Sequence, residues 1–597
     1  MFFISHGEIN KFKAGFSLME MVVAIAIFSV LSISIYQGYA QIFKTTNFLK
    51  TKTVATNLAN EQIEIIRNLP YDNVGTIGGI PSGVVDPSQE ITREGIDFVV
   101  LTTIRNIDLP FDGTLGGSPD DLSPADNKLV EIEIQCALCQ NFSNLVFNTN
   151  VAPQSLESLS TNGALRINVF DANGEDISGA NVSIVNSGIS PNIDIDDVTG
   201  NNGILTIVDA PPSFESYELL VTKGGYSMDQ TYISDISNPN PIKPHVTVSQ
   251  GQITDVSFII DETSTMNISS VTDTCQAVSA FDFDLVSSKL IGTNPDVLKY
   301  DSNHSTNGSG LLSLSDMEWG TYTVNTTDSS YDVAGFNPFN PLTITPGVDQ
   351  DLKITLFPKD SPTTLFTIKA QGTGDPISNA VVSLQKTGFN KTFLSGQSAK
   401  TQTDWSGGQG QVNYSDPTVY SSDDGGINVN NPIGSILLFE DIDGYVSSGE
   451  LISSTFDLGP GVTYHDLSWS GDIPISTDIQ VQIATTSSGT PTDFIGPDGT
   501  SSTFFTSIPT DIPAISDGDR YFRYKVSLST SNPLFTPTFD NLEFNFSGNC
   551  VAPGQIAFQG LSNGTYTLTV NADGYQEFSQ DIDLNNAWQE VLVEMDE

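Results

Sequence analysis

An uncharged run of 23 residues near the N-terminus constrains this chain more than any other feature of its sequence. The run lies between Glu20 and Lys44 and consists mostly of aliphatic and aromatic residues. As an α-helix, it is long enough to cross the hydrocarbon core of a lipid bilayer, which is about 30 Å thick. The run therefore predicts a membrane-spanning helix, and the simplest interpretations are a secretory signal peptide and a plain membrane anchor.

The residues around this run argue against a cleaved signal peptide. Such a peptide has its positive charge before the apolar core and its small-residue cleavage site after the core. Here Gly15 precedes the core, and Glu20 lies within its first turn. A carboxylate inside a membrane costs about 2.5–3.5 kcal/mol on insertion scales, so Glu20 needs a partner for its charge.

This order of residues resembles the N-terminal signal of type IV prepilins and of type II secretion pseudopilins. The matching residues are Gly15 as the last leader residue, Phe16 as the first mature residue and Glu20 as the fifth. The resemblance implies that a prepilin peptidase cuts between Gly15 and Phe16 and then N-methylates Phe16. It also implies that the new α-amino group pairs with Glu20 of the same or a neighbouring subunit. An ordinary membrane anchor is the alternative.

The apolar pattern continues beyond the membrane-spanning length. Val54, Leu58, Ile65, Ile66 and Leu69 keep a helical spacing until Pro70, so we expect one helix over residues 16–69. Alternating apolar residues then predict strands at residues 96–107, 129–134 and 145–147. A helix followed by an antiparallel sheet, over residues 70–155, resembles the globular head of minor pilins.

A Cys-x-x-Cys motif, Cys136 to Cys139, falls between the last two predicted strands. A zinc site would need a second pair of this kind, which the sequence lacks. We therefore predict a local disulfide that pins a hairpin, with two free thiols as the alternative. Whether Cys275 and Cys550 pair stays open, since a bridge requires a close approach of their Cα atoms.

The remainder of the chain contains an internal repeat. Residues 165–184 align with residues 365–384, residues 217–226 align with residues 566–575, and residues 319–324 match the same strand in a third copy. Alternating half-buried strands separated by turns favour β-sandwiches. We predict three modules, at residues 160–262, at 263–360, and at 361–388 together with 551–597.

These modules resemble the carboxypeptidase regulatory-like family of transthyretin-like sandwiches. The resemblance rests on the run that begins at Gly174 and Gly374 and on the strands at Tyr217 and Tyr566. It implies a non-catalytic spacer or a weak binding module. The predicted fold class is therefore mainly β, with one long N-terminal helix, a pilin-like sheet and three sandwiches.

Residues 389–550 interrupt the third module and have strands of their own. They resemble jelly-roll domains of the discoidin or galactose-binding type, so we expect an inserted domain that projects from its host. Such domains bind glycans through aromatic side chains and polar loops. Trp405, Trp469 and Tyr521 are the candidate ligand contacts, and the alternative for each of them is a place in the core.

The charge and the histidine count exclude several functions. The chain has 71 acidic against 23 basic residues and a net charge of −48, which disfavours nucleic acid as a ligand. It has only four histidines, so zinc clusters and histidine-dependent triads are poorly supplied, and we expect no enzyme and no cofactor. Acidic clusters could offer oxygen ligands to Ca²⁺, although solvated turns of an acidic chain produce the same pattern. These clusters are Asp194–Asp196–Asp197, Asp423–Asp424, Asp441–Asp443 and Asp517–Asp519.

Together these patterns predict a minor type IV pilin-like protein that displays β-sandwich modules for adhesion. Its expected partners are a prepilin peptidase, other pilin subunits and a surface glycan or protein. We expect it in the inner membrane before assembly and on the cell surface afterwards. The alternative is a pseudopilin of a type II secretion or competence-like system that contacts exported protein.

Overall fold

The computed structural model describes residues 17–121, 123–139, 142–153, 161–359, 363–585 and 587–597. These residues form one long N-terminal helix followed by many β-sheets, so the predicted fold class is confirmed. They divide into two compact units. The first comprises the described parts of residues 1–224, 228–236 and 243–260, and the second comprises those of residues 225–227, 237–242 and 261–597.

The helix of the first unit, Leu18–Arg67, has 50 residues and a length of about 75 Å. Asn68 caps its C-terminus, and Pro70 follows, as the sequence predicts. Only the C-terminal part of the helix packs on a sheet, through residues spaced at three or four positions: Val54, Ala55, Leu58, Ala59 and Ile66. The N-terminal part is apolar and long enough to cross a membrane, by length and composition.

The sheet beneath the helix has four antiparallel strands in sequence order. Alternate residues of its third strand, from Val130 to Ile134, point into the core that the helix covers. Cys136 and Cys139 follow that strand directly and are joined by a disulfide. The strands are Ser88–Arg93, Ile96–Ile107, Asn127–Gln135 and Leu145–Val151.

Three β-sandwiches follow, and they share one strand order. In each, the first strand lies between an antiparallel neighbour and the parallel last strand of the module. The corresponding triplets are Ile204–Ala210, Gly163–Phe170 and Ile253–Ile259; Leu311–Met317, Ser264–Val271 and Gln350–Pro358; and Gln555–Gln559, Thr363–Ala370 and Gln589–Met595.

The facing sheets also match between the modules. In each, the second strand lies between the third strand and the strand that carries the repeated Tyr. The corresponding triplets are Ile193–Val198, Asn181–Asn186 and Ser213–Thr222; Asp301–Ser305, Asp282–Ser287 and Gly320–Thr326; and Phe389–Leu394, Val381–Lys386 and Gly564–Asn571. The middle copy, the most divergent in sequence, keeps the same order.

Shorter or additional strands complete these sheets. In the first module they are Asp229–Gln230 and Val246–Val248. In the second they are Tyr331–Asn337, Leu342–Ile344, and the pair Leu290–Gly292 and Val297–Leu298. In the third the additional strand is Phe578–Leu584.

The repeat also locates the point of insertion. The first two modules connect the third strand to the next one through short turns that begin with Thr199 and Thr306 and end with Gly203 and Gly310. Each threonine hydroxyl accepts a hydrogen bond from the backbone N–H at the start of the second strand, from Ala180 and Phe281.

In the third module, Ser395 and Gly554 hold these two positions, although the whole inserted domain lies between them. The Ser395 hydroxyl accepts the N–H of Ala380 at 3.0 Å. Gly203, Gly310 and Gly554 have φ of 68°, 69° and 65°, and a Cβ atom at any of them would come within 2.8 Å of a backbone carbonyl. Because Phe389–Leu394 pairs within the host sheet, the predicted start of the insertion at residue 389 is wrong, and the insertion begins after Ser395.

The inserted domain is a two-sheet antiparallel sandwich around its own aromatic core. One sheet centres on Thr538–Ser547 and also contains Ser398–Gln402, Ile427–Asn430, Ile433–Leu438, Thr463–Asp472 and Thr510–Asp511. The other centres on Tyr521–Thr530 and also contains Ser422–Asp423, Ser448–Ile452, Phe456–Asp457 and Thr477–Thr486. Two short ladders pair Gly408–Gln409 with Val419–Tyr420 and Glu440–Asp441 with Gly444–Tyr445.

Covalent and polar contacts join the second module to both ends of the insertion and to the third module. Cys275 and Cys550 form a disulfide, which answers the question that the sequence left open. The buried side chain of Gln555 accepts the N–H of Phe336 at 2.9 Å and donates to its carbonyl at 2.8 Å. Asp273 accepts hydrogen bonds from the Ser398 hydroxyl and from Lys400 Nζ. The junction is therefore fixed by a covalent bond and by buried hydrogen bonds.

We expect Gln555→Glu to lower the free energy of unfolding by at least about 1–3 kcal/mol, because a carboxylate at this buried position cannot donate to the Phe336 carbonyl. Urea denaturation of the full chain measures the loss. Gln559→Glu is the control, since Gln559 is exposed and contacts Pro358 at the surface. Equal stability of the two variants would contradict the bridging role of Gln555.

Candidate assembly and ligand-binding surfaces

Glu20 lies in the first turn of the helix, close to the predicted processing site. The Glu20 carboxylate accepts the backbone N–H of Ser17 at 2.9 Å, and the Ser17 hydroxyl accepts the N–H of Glu20 at 3.2 Å. These two bonds form a capping box at the N-terminus of the helix. Gly15 and Phe16 lie outside the described residues. The pairing of Glu20 with the amine of Phe16 therefore stays a prediction.

The N-terminal part of the helix exposes large apolar side chains on every face. Leu18 is 86% exposed, Phe28 71% and Tyr36 74%. The most apolar 18-residue window of the helix has none of its residues buried within the chain. A helix that is apolar all round is stable only where lipid or other apolar helices surround it.

The two tryptophans predicted to contact a ligand are core residues instead. Trp405 is fully buried, and its Nε1 donates to the hydroxyl of Tyr524 at 2.7 Å. Trp469 is 5% exposed, and its Nε1 donates to the carbonyl of Phe505 at 2.9 Å. Both side chains fill the space between the two sheets, so the prediction of ligand contacts at Trp405 and Trp469 is wrong.

Tyr521 is half-buried and begins the central strand of the second sheet, with the guanidinium of Arg520 5.3 Å from its ring centroid. A ligand contact at Tyr521 stays a prediction. The next residue, Phe522, stacks on Tyr464, whose hydroxyl donates to the carbonyl of Asp519. Tyr464 pairs with Phe546 close to the junction with the host module.

The other end of the inserted domain carries a set of exposed apolar side chains. The strand Thr538–Ser547 runs about 33 Å from this end, at Thr538, towards the junction. Three loops meet here, because Tyr445 donates its N–H to Pro533 and Ser531 donates its N–H to Ser476. We call the exposed residues of these loops the distal apolar patch: Phe439, Ile442, Ile473, Ile475, Leu534 and Phe535.

Sequence reasoning missed the distal apolar patch, although a signal was present. Ile442 is fully exposed and lies between Asp441 and Asp443 in a turn, where only polar residues are expected. Ile475 and Leu534, 79% and 77% exposed, follow prolines in similar turns. Aliphatic residues within turns rich in Asp, Gly and Pro are the pattern that could have identified the patch.

The acidic clusters singled out in the sequence serve local hydrogen bonds. Asp197 pairs with Arg105, and Asp441 accepts the N–H of Asp443. Asp423 accepts the Tyr420 hydroxyl, and burial together with this carboxylate raises the pKa of Tyr420. Asp517 accepts the N–H of Tyr464. None of these clusters brings three carboxylates together among the residues that the structure describes.

Three other carboxylates do converge in the described part of the chain, those of Asp108, Asp121 and Asp126. All three lie in the loop that joins the second and third strands of the sheet beneath the helix. Burial raises the pKa of Asp108, as do the negative charges of Asp121 and Asp126, against the lowering effect of the Leu115 N–H. No local sequence pattern marks this cluster, because its members are separated by up to 18 positions in an irregular loop.

Comparison with known proteins bears on the N-terminus. Residues 10–36 match the model of the prokaryotic N-terminal methylation motif, which confirms a prepilin-like N-terminus. No curated protein sequence matches the chain significantly.

Solved structures with local similarity include the TIE protein of Bacillus anthracis, at 13% identity and a TM-score of 0.15, over 52% of this chain and 66% of that protein. They also include the minor pilin GBS52 of Streptococcus agalactiae, at 14% identity and a TM-score of 0.17, over 32% of this chain and 95% of that one. A streptococcal ancillary pilin matches at 10% identity and a TM-score of 0.18, over 38% and 75%. At these values the similarity does not bear on what this chain binds.

We expect Tyr524→Phe to lower the free energy of unfolding of the inserted domain by about 1–3 kcal/mol. The Tyr524 hydroxyl accepts from Trp405 and donates to Gln402 Oε1 at 2.7 Å, so its removal leaves two buried polar groups without partners. Denaturation followed by tryptophan fluorescence measures the change. The matched control is Tyr521→Phe on the same strand, and similar losses for both variants would contradict the importance of this buried network.

Proposed function

We propose that the chain is a minor type IV pilin-like surface protein, anchored in a pilus-like filament by its N-terminal helix. The observation that carries this proposal is a coincidence of two features at one place. The matched methylation motif at residues 10–36 overlaps the start of a helix whose N-terminal part is apolar on all faces and uncovered by its own chain. Membrane lipid before assembly, and neighbouring pilin helices afterwards, would supply the apolar surroundings.

Two different segments of the helix serve folding and assembly. From Val54 onwards it packs on the sheet and is committed to the fold of the head. From Leu18 to Phe43 its large side chains are free for neighbours. Insertion into a filament therefore requires no unfolding of the head, which supports assembly through this segment.

Processing would supply the charge that Glu20 requires. A prepilin peptidase would cut between Gly15 and Phe16 and methylate the new amine of Phe16, which would lie about one helical turn from Glu20. Two opposite charges in an apolar medium attract strongly, and an unpaired carboxylate there is costly. The pair would therefore favour one register of the subunit in the filament.

The inserted domain is the part best placed to meet a ligand. Its distal apolar patch consists of aliphatic side chains and two phenylalanines on three joined loops. Sugar-binding sites rely on aromatic faces with polar groups, whereas exposed aliphatic residues favour protein or other apolar surfaces. We therefore propose adhesion through this end, to a protein or other apolar surface in preference to a glycan.

The same motif and patch also suit a second candidate function. In a pseudopilin of a type II secretion or competence-like system, the patch would contact exported protein. Neither role requires catalysis, a cofactor or nucleic acid, and the net charge of −48 disfavours the last. Detection of the protein within filaments on the cell surface would favour adhesion over secretion.

We expect the protein from its native host to begin with N-methylated Phe16, which N-terminal mass spectrometry detects. Glu20→Gln should leave cleavage intact but reduce incorporation into sheared filaments at least about tenfold, because the amine of Phe16 loses its partner. Glu64→Gln is the control, since Glu64 lies exposed in the part of the helix that packs on the head. An intact Met1 or normal incorporation of the Glu20 variant would overturn the assembly proposal.

For adhesion, we expect the double variant Ile442→Ser and Leu534→Ser to bind protein-coated or other apolar surfaces several-fold less well while assembling normally. Both side chains are exposed, so their replacement costs little stability. Ile236→Ser is the control, since Ile236 is equally exposed outside the inserted domain. A surface-binding assay on assembled filaments measures the effect, and equal binding by all three proteins would exclude the patch as the contact surface.

A further inference from the structure

The loop between the strands Ile96–Ile107 and Asn127–Gln135 encloses three carboxylates that local structure does not neutralise. One oxygen each of Asp108, Asp121 and Asp126 lies within 4.8 Å of those of the other two. Asp121 and Asp126 are only 9% and 3% exposed. This cluster is separate from the acidic turns that the sequence suggested.

Each of the three carboxylates has one engaged and one unengaged oxygen. Asp108 Oδ2 accepts the N–H of Leu115 at 2.7 Å, Asp121 Oδ1 accepts that of Ser123 at 2.8 Å, and Asp126 Oδ2 accepts that of Leu109. The second oxygens, Asp108 Oδ1, Asp121 Oδ2 and Asp126 Oδ1, are buried without a hydrogen-bond partner. The backbone thus holds each carboxylate in place while one of its oxygens stays unsatisfied.

The basic side chains nearest along the chain are directed elsewhere. Arg105 pairs with Asp197 and Glu131, and Lys128 donates to the carbonyl of Tyr71 at 2.8 Å. No ion pair among the described residues includes Asp108, Asp121 or Asp126. Three carboxylates that converge, two of them on buried residues, repel one another, and a buried charged oxygen without a partner is strongly unfavourable. A bound cation would offset both costs.

We propose that Asp108, Asp121 and Asp126 bind a Ca²⁺ ion. Calcium takes six to eight oxygen ligands at about 2.3–2.6 Å, so ligands on opposite sides of the ion are about 5 Å apart, which suits the 4.8 Å limit of this cluster. Magnesium requires a tighter octahedron and retains several waters, so a cluster of three carboxylates in an irregular loop favours calcium. Backbone carbonyls of the loop and water would complete the shell.

The ion would order the loop that connects the two central strands of the sheet. The loop spans the residues between Ile107 and Asn127, and its described part contains little regular structure beyond turns. Asp108 and Asp126 lie at its two ends, next to Ile107 and Asn127, which pair in the ladder of the sheet, while Asp121 comes from the stretch between them. A bound cation would therefore tie both ends and the centre of the loop to one point, and its loss would loosen the loop without unfolding the sheet.

The test uses the full-length chain in detergent, first treated with EDTA and then titrated with CaCl₂. Hydrogen exchange of peptides that cover residues 108–126 should slow on addition of about 5 mM CaCl₂, which exceeds the dissociation constants of about 10⁻⁴–10⁻³ M that are typical of extracellular sites. Calorimetry should detect a binding event that Asp121→Asn and Asp126→Asn each weaken at least about tenfold, because each removes one ligand charge. Asp120→Asn is the matched control, since Asp120 is exposed in the same loop and only caps the N–H of Gly116.

The same variants distinguish a metal site from a structural role of the carboxylates. In EDTA, Asp121→Asn and Asp126→Asn should be as protected from exchange as the unaltered chain, or more so, because each relieves repulsion. In CaCl₂ the two variants should be less protected from exchange than the unaltered chain. The proposal is overturned if CaCl₂ leaves exchange of residues 108–126 unchanged in the unaltered chain, a measurement that does not depend on any variant folding. It is also overturned if the two variants bind CaCl₂ as tightly as Asp120→Asn.

Discussion

An apolar helix that its own chain leaves uncovered is the constraint on which the rest of the structure depends. From Leu18 to Phe43 the helix offers no face that water can solvate favourably, so its surroundings must be supplied by lipid or by other helices. From Val54 onwards the same helix is the cover of the four-stranded sheet. One continuous element thus joins the part that needs an apolar environment to the part that folds in water.

The sequence predicted those features that depend on local patterns. The uncharged run, the spacing of Val54, Leu58 and Ile66 and the stop at Pro70 specify the helix, because helical periodicity is a local property. The three sandwiches were predictable because Gly174 and Gly374 begin the same turn in two copies of one motif. The divergent middle copy keeps the strand order because alternation of buried residues, rather than residue identity, forms its core.

The features that could not be predicted from the sequence depend on contacts between residues that are distant along the chain. Tryptophan is a residue type that stacks on sugar rings, and only the position of Trp405 and Trp469 between two sheets shows that they are core residues. The pairing of Cys275 with Cys550 and of Phe336 with Gln555 joins residues of different modules, which no local pattern indicates. The convergence of Asp108, Asp121 and Asp126 likewise depends on the path of an irregular loop. The start of the insertion was misplaced because the strand Phe389–Leu394 lacks a clear alternation of buried and exposed residues. Only its pairing with Val381–Lys386 shows that it belongs to the host sheet.

The way in which the inserted domain joins its host has a consequence for exchange of parts. Ser395 and Gly554 reproduce, on either side of a complete domain, the hydroxyl and the glycine that close a short turn in the sister modules. The host sandwich therefore closes in the same way whether a short turn or a whole domain lies between these two positions. Because the turns at Thr199 and Thr306 close with the same contacts, we expect either of them to accept an inserted domain without a change in the strand order of its module.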